Sequence, residues 1–472
     1  MRKEYNTVFF RPYALAYGLF LKKGGEFMKK KGNKLAIQMA VALVLGLIAG
    51  GGFMFLRETL NANGNAETWQ TINKILFQDI TVEGAESAIG IFYILGQLFV
   101  NSLQLIIVPM VFTSIAMAIC RVTDTKKLGR ISGKTISWFM FTTSLALLIA
   151  GTIGIFVYNA GGFEVVVEGV GQATGSTGSN PLNVFLGIIP NNIVSVFGNN
   201  GKVLSIVFLA VVTGLAMNTL GGRIEIVKKL LQEVNDIVVT FLSFVINKFG
   251  PIAIFVLITR TFAIYGIEHL RPAFTYVITT TLVLFAFLLL GYPTLMAAVT
   301  HLNPIKYLKK IAKVAVFGFS TSSSAATLPL NQKTVTEELG VSDEIASFVL
   351  PMGMTINMDG TAIMQTIAAI FVASCGGYEV TFGSVIVIAL LALVASIGTP
   401  AAPGAGAVIL FTILSGMGYV NEGALMAYSL ILAINRPIEM LVTSLNVVGD
   451  STTALYVAKS EGMLNEEIFN QD

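Results

Sequence analysis

Residues 355–364 read TINMDGTAIM, and Asp359 is the only charged side chain between Ile345 and Ser374. Asn357 and Gly360 flank it, and neither favours a continuing helix. An ionised carboxylate in apolar surroundings is costly unless it is paired or holds an ion. The stretch therefore reads as an interruption in an apolar helix, placed there for a purpose.

The surrounding chain says what kind of helix is interrupted. Of 472 residues, 54% are hydrophobic and 12% are charged, against about 25% charged in soluble domains. Such a chain cannot cover itself with polar surface in water, so it reads as an all-α membrane protein. The net charge of +3 is small, and the basic residues form short clusters rather than one stripe. That pattern does not suit nucleic-acid binding. Cys120 and Cys375 both lie in apolar segments and make neither a disulfide framework nor a metal site. His269 and His301 flank one apolar run as interfacial polar residues.

Residues 1–27 precede Met28 and three lysines, a basic start to the first apolar run, and they lack a signal-peptide core and cleavage site. Translation is expected to begin at Met28. No stretch is long enough for a separate soluble catalytic domain.

Bilayer-spanning helices need about 20 apolar residues. Segments 35–56, 89–119, 135–158, 203–220, 236–264 and 272–300 meet that need. Lys and Arg cluster at 29–34, 121–134, 223–229 and 306–313, whereas 58–87 and 160–181 are mostly acidic. The positive-inside rule then places both termini and the basic connections in the cytoplasm.

Beyond residue 300 the apolar runs are broken by FGFSTSSSAATLPL (317–330), PMGMTINMDGT (351–361), ASIGTPAAPGAGA (395–407) and SLNVVGDSTT (444–453). Backbone that leaves a helix inside a membrane must line protein or a cavity. Secondary transporters build substrate and ion sites from such breaks. Segments 322–329 and 398–406 read as tips of helical hairpins whose arms are too short to span; a plain loop between short helices is the alternative. Each hairpin precedes a long helix carrying a buried acid, Asp359 and then Asp450, which suggests an internal repeat. Glu439, Thr443, Asn446 and Asp450 are spaced to share one helical face. Their oxygens are hard ligands suited to Na⁺. An ion pair between Arg436 and Glu439 is the competing reading.

SSSAATLP (322–329), TINMDGT (355–361), SIGT with PGAGA (396–407), NVVGD (446–450) and VAKSEG (457–462) together resemble the dicarboxylate/amino acid:cation symporter family, over about residues 35–462. That family includes archaeal aspartate transporters and mammalian glutamate and neutral amino acid carriers. The resemblance implies eight transmembrane helices plus two re-entrant hairpins in inverted repeats, with a scaffold and a moving transport core. It implies a cytoplasmic segment 1–34, scaffold helices at 35–119 and 180–264, a further helix at 270–300, and core elements at 120–160, 304–340, 343–375, 378–414 and 421–462. Residues 463–472 form a tail.

Three sodium sites carry over by resemblance. One uses Gly353, Asn357, Asn446 and Asp450; a second Thr355, Ser396, Ile397 and Thr399; a third Thr142, Thr143, Asn357 and Asp359. Ser322, Ser323, Ser324, Thr361, Ala402, Gly404, Glu439, Val442, Thr443 and Asn446 correspond to the substrate site. Glu439 stands where the family has an aspartate for the substrate's amino group. Where acidic-substrate members carry an arginine, this chain has Val442 and Ser322. The expected activity is therefore sodium-coupled import of a small neutral amino acid (serine, threonine or alanine) in a plasma membrane, by a homotrimer without an organic cofactor. The alternatives are an acidic amino acid or dicarboxylate symporter, Na⁺- or H⁺-coupled, using Arg436 or Arg260, and an ion channel. A membrane enzyme is not expected, because no His or Cys lies near the serine-rich tip to serve as its base.

Overall fold

A computed structural model describes residues 37–39, 41–82, 84–120, 126–164, 188–200, 202–266, 270–397, 399 and 404–471. Among these residues the regular structure is all helix, apart from one antiparallel bridge between Val341 and Leu464.

The first half contains α1 (Ile37–Ala62), α2 (Ala66–Leu76), α3 (Ile91–Leu105), α4 (Ile107–Cys120), α5 (Lys126–Asn159), α6 (Ile193–Phe197), α7 (Val203–Leu220), α8 (Glu225–Phe244), α9 (Gly250–Tyr265), α10 (Leu270–Ala286) and α11 (Tyr292–Thr300). Wide turns at Val245–Phe249 and Phe287–Gly291 join α8 to α9 and α10 to α11. Pro251 and Pro293 follow them in the first turn of the next helix. A proline has no N–H for the residue one turn back, and a widened turn absorbs the missing bond without ending the span.

Among the described residues six helices are long and apolar enough to cross a bilayer: Ile37–Ala62, Ile91–Met117, Gly129–Asn159, Glu225–Ile264, Arg271–Thr300 and Asp343–Cys375. A seventh results if Glu422–Leu432 and Arg436–Glu461, which meet at 69°, are one bent span. The expected segment at 203–220 is apolar but shorter than the others. Two basic connections are shorter than expected, because α5 already begins at Lys126 and α8 at Glu225. Residues 121–125 and most of 160–181 lie outside the described residues, as does the expected start at Met28.

The second half contains α12 (Pro304–Thr321), α13 (Ser324–Glu337), α14 (Asp343–Ile356), α15 (Asp359–Cys375), α16 (Phe382–Ile397), α17 (Ala405–Met417), α18 (Glu422–Ile434), α19 (Arg436–Glu461) and α20 (Glu466–Asn470). Helices α12 and α13 fold back on each other as hairpin 1, and α16 and α17 as hairpin 2. Each hairpin precedes a helix in two pieces: α14 and α15 part at Asn357-Met358, and α18 and α19 at Asn435.

One expected break is absent. The stretch 444–453 lies inside α19, which runs unbroken from Arg436 to Glu461. Gly449 is there for packing: a Cβ would collide with the Tyr292 hydroxyl and approach Asn357 Nδ2 within 2.6 Å. The bend comes earlier, at buried Asn435, whose Oδ1 accepts a 2.7 Å bond from the Tyr276 hydroxyl.

Helix α15 is the centre of the molecule. Every residue from Asp359 to Ala373 is buried, and α5, α10, α16, α17, α18 and α19 surround it. Helices α1 and α8 instead expose Ile48, Phe55, Ile226 and Ile237, as outward faces in an apolar solvent would.

Candidate functional site

The opening stretch builds the centre of the site. Asn357 is extended, at φ −88° and ψ 90°, and α15 restarts at Asp359. A carboxylate in the first turn sits at the positive end of the helix dipole. Asp359 is fully buried. Its Oδ1 accepts a 2.5 Å bond from the Thr143 hydroxyl of α5, and its Oδ2 a 2.7 Å bond from the Tyr292 hydroxyl of α11. Thr142 is buried beside Thr143 and bonds the Phe139 carbonyl at 3.1 Å. Sequence reasoning missed Tyr292.

The break also faces α19. Asn357 Nδ2 donates to Asp450 Oδ1 at 3.0 Å and lies 3.5 Å from the Asn446 carbonyl. A Cβ on Gly353 would collide with the Asp450 carboxylate. Gly353, Asn357, Asn446 and Asp450 are thus assembled in one place. Asn357 Oδ1 is buried and has no partner. An orphaned amide oxygen costs about 1–3 kcal/mol, and this one and the Asp450 carboxylate are both hard-oxygen donors that could serve Na⁺. The third proposed group is joined through Thr143 and Asp359. In the second, the Thr355, Ser396 and Thr399 hydroxyls bond their own helical carbonyls at 3.1, 2.9 and 3.0 Å, while Ile397 ends α16, which touches α14.

The face of α19 carries the expected polar stripe. Asn446 Oδ1 accepts from the Gly360 amide at 2.8 Å, and Nδ2 donates to Thr361 Oγ1 at 3.2 Å. Thr443 bonds the Glu439 carbonyl at 3.0 Å. Val442 is buried with its carbonyl against Gly360, where a Cβ would approach within 2.9 Å.

Both hairpins meet α19. From hairpin 1, the Ala315 carbonyl accepts from Ser444 at 2.7 Å, and Asn331 lies between the Val447 carbonyl and Ser451 Oγ at 3.0 and 2.6 Å. At its tip Ser322 holds φ 48°, and its buried hydroxyl has no partner. Ser323 caps α13 by accepting from Ala326, and Ser324 is buried. From hairpin 2, the Ala407 amide donates to Glu439 Oε1 at 3.2 Å, and the Gly406 carbonyl accepts from Gln365 Nε2 at 3.0 Å. Gly404 begins α17 at φ 87°, a conformation that suits glycine. Ala402 and Gly398 lie outside the described residues.

The two arginines separate. Arg260 Nε donates to the Phe77 carbonyl at 2.8 Å, its guanidinium stacks 5.1 Å over Tyr93, and a terminal nitrogen lies 3.6 Å from Glu422. These partners engage it, and it is not among the residues that line the cavity at Glu439. Arg436 forms the expected pair, with a terminal nitrogen 3.7 Å from Glu439 Oε2, and its Nε is buried without a partner. Both side chains line a cavity of about 40 Å³ with Gly404, Ala407 and Asn435.

The sequence model of the sodium:dicarboxylate symporter family matches residues 35–460. The chain is 29% identical over 450 residues to the proton/sodium-glutamate symport protein of Geobacillus stearothermophilus, covering 93% of this chain and 97% of the other. It is 27% identical to the proton/glutamate-aspartate symporter of Escherichia coli, over 92% of this chain and 94% of the other. With the C4-dicarboxylate transport protein of Bacillus subtilis it shares 26% identity, over 79% and 88%.

Proposed function

Because the chain belongs to the sodium:dicarboxylate symporter family, we propose that it imports an acidic amino acid or C4-dicarboxylate in symport with sodium. Arg436 is the observation that carries this reading. Its guanidinium is mostly buried, its contact with Glu439 is loose at 3.7 Å, and its Nε lacks an acceptor. A substrate carboxylate would satisfy it with charge-assisted, bidentate bonds. The relatives' names, glutamate, aspartate and C4-dicarboxylate, support the same class. They do not support the small neutral amino acid expected from Val442 and Ser322.

Val442 keeps the neutral reading testable, because it is a buried apolar side chain on the same helix as Asn446, where acidic-substrate members carry an arginine. Uptake of labelled aspartate and labelled serine into proteoliposomes separates the two. Sodium-driven aspartate accumulation supports the acidic class. Serine accumulation without competition from aspartate supports the neutral one.

In this account sodium binds Asp359, Asn357 and Asp450, orders the break, and neutralises carboxylates that are costly to bury. The orphaned Asn357 oxygen favours sodium over a proton, although relatives are named for both. Substrate then binds between the hairpin tips, and hairpin 2 closes through Glu439 and Gln365. The hairpins, α5, α14, α15 and α19 move as a re-entrant transport core past scaffold helices α1, α3, α4 and α7–α9, in a homotrimer with cytoplasmic termini.

A further inference from the structure

Residues 463–471 are folded onto hairpin 1 rather than trailing from α19. Leu464 bridges Val341, the Asn465 amide donates to the Gly340 carbonyl at 2.7 Å, and the Ser342 amide donates to the Met463 carbonyl at 3.1 Å. Gly340 has φ 76°, and a Cβ there would collide with the Asn465 carbonyl. Asn465 then caps α20 through the Glu467 and Ile468 amides. Phe469 is completely buried.

Lys310, on α12, joins these pieces. Its three N–H groups are shared among four carbonyls within reach of the ammonium, those of Glu338, Ile468, Phe469 and Gln471 at 3.1, 3.3, 2.8 and 2.7 Å. It lies 5.6 Å from the Phe469 ring centroid. One turn earlier, Lys306 donates to the Asn470 carbonyl at 2.9 Å. The last carbonyls of a helix lack intrahelical donors. Lys310 therefore sits where the ends of α13 and α20 converge, and supplies donors and positive charge to both. Lys310 thus stands on one arm of hairpin 1 and holds partners at the end of the other arm and in the segment leaving α19.

We propose that residues 463–471 are a strap, anchored by Lys310, that keeps the base of hairpin 1 docked to the end of α19 throughout the transport cycle. Lys310 is then a positioning residue: it touches neither ion nor substrate, but fixes hairpin 1, whose tip is Ser322 to Ser324, relative to the helix that carries Asn446 and Asp450. The strap goes beyond the assignment of substrate, and its structural test does not depend on that assignment.

Ser342 provides the reporter. Its hydroxyl is buried without a partner while its amide bonds the strap, so Ser342→Cys places a near-isosteric thiol beneath Met463. Cys120 and Cys375 are buried and are replaced by alanine in the test protein. On purified full-length protein without substrate, Lys310→Met is expected to raise the labelling rate of that thiol at least tenfold, and Lys310→Arg to leave it near the parent value. Unchanged labelling in Lys310→Met overturns the anchor. A second variant tests whether the strap stays closed. In Val341→Cys/Leu464→Cys, oxidation to a disulfide is expected to leave uptake of the transported substrate within twofold of the reduced form. Uptake abolished by oxidation and restored by reductant would show a strap that must open, and would overturn the proposal.

Discussion

The Thr143 hydroxyl and Asp359 Oδ1 lie 2.5 Å apart although 216 residues separate them in the chain. Tyr292 occupies the other carboxylate oxygen at 2.7 Å. One buried acid thus ties α5 and α11 to the first turn of α15. In the proposed ion site the two hydroxyls hold the carboxylate in place, and both retain lone pairs that a cation could use.

Removing the Tyr292 hydroxyl tests that logic. A hydrogen bond to a charged group is worth about 1.5–3 kcal/mol, so Tyr292→Phe should raise the sodium concentration for half-maximal uptake roughly ten- to hundredfold. The sodium dependence of uptake at fixed substrate measures it. An unchanged half-saturation point would remove Tyr292 from the ion site.

Gly449→Ala should disrupt the same region by volume alone. Its methyl would enter the space of the Tyr292 hydroxyl and Asn357 Nδ2, and such overpacking costs typically about 1–3 kcal/mol. The expected result is a lower melting temperature and a smaller stabilisation by added sodium, read by thermal unfolding in detergent. Wild-type values for both would mean that α19 can move away from α11 freely.

Arg436→Gln should discriminate between substrate classes. Losing one partner of a buried, hydrogen-bonded charge pair costs about 2–5 kcal/mol, so aspartate affinity should fall at least thirtyfold. The inhibition constant of aspartate against a labelled substrate gives the answer. An unchanged constant would place the substrate carboxylate elsewhere.

Arg260→Gln should leave substrate affinity within about twofold, because its partners are Phe77, Tyr93 and Glu422. Its pair with the exposed Glu422 is of the kind worth about 0–1 kcal/mol. A large rise in KM for aspartate would contradict the separation of the two arginines.

Several of these residues were legible in the sequence because they violate its background. A single acid among thirty apolar or small residues marked Asp359, and helical spacing grouped Glu439, Thr443, Asn446 and Asp450. Tyr292 carried no such signal, since an amphipathic aromatic suits any membrane helix. Its role comes from α11 crossing α19 beside a glycine. Gly449 illustrates the opposite failure. Its local sequence suggested a break, but intimate packing against Tyr292 and Asn357 requires a continuous helix without a side chain there. The bend at Asn435 and the strap at 463–471 depend on long-range partners, Tyr276 and Lys310, which no short window of sequence contains.

The central claim is coupling of sodium to an acidic substrate through Asp359. The most direct test measures labelled sodium and labelled aspartate entry together in proteoliposomes, for the native protein and Asp359→Asn. The account predicts that each flux requires the other solute in the native protein, and that coupled aspartate accumulation is lost in the variant. Accumulation that persists in Asp359→Asn with an unchanged sodium requirement would contradict it.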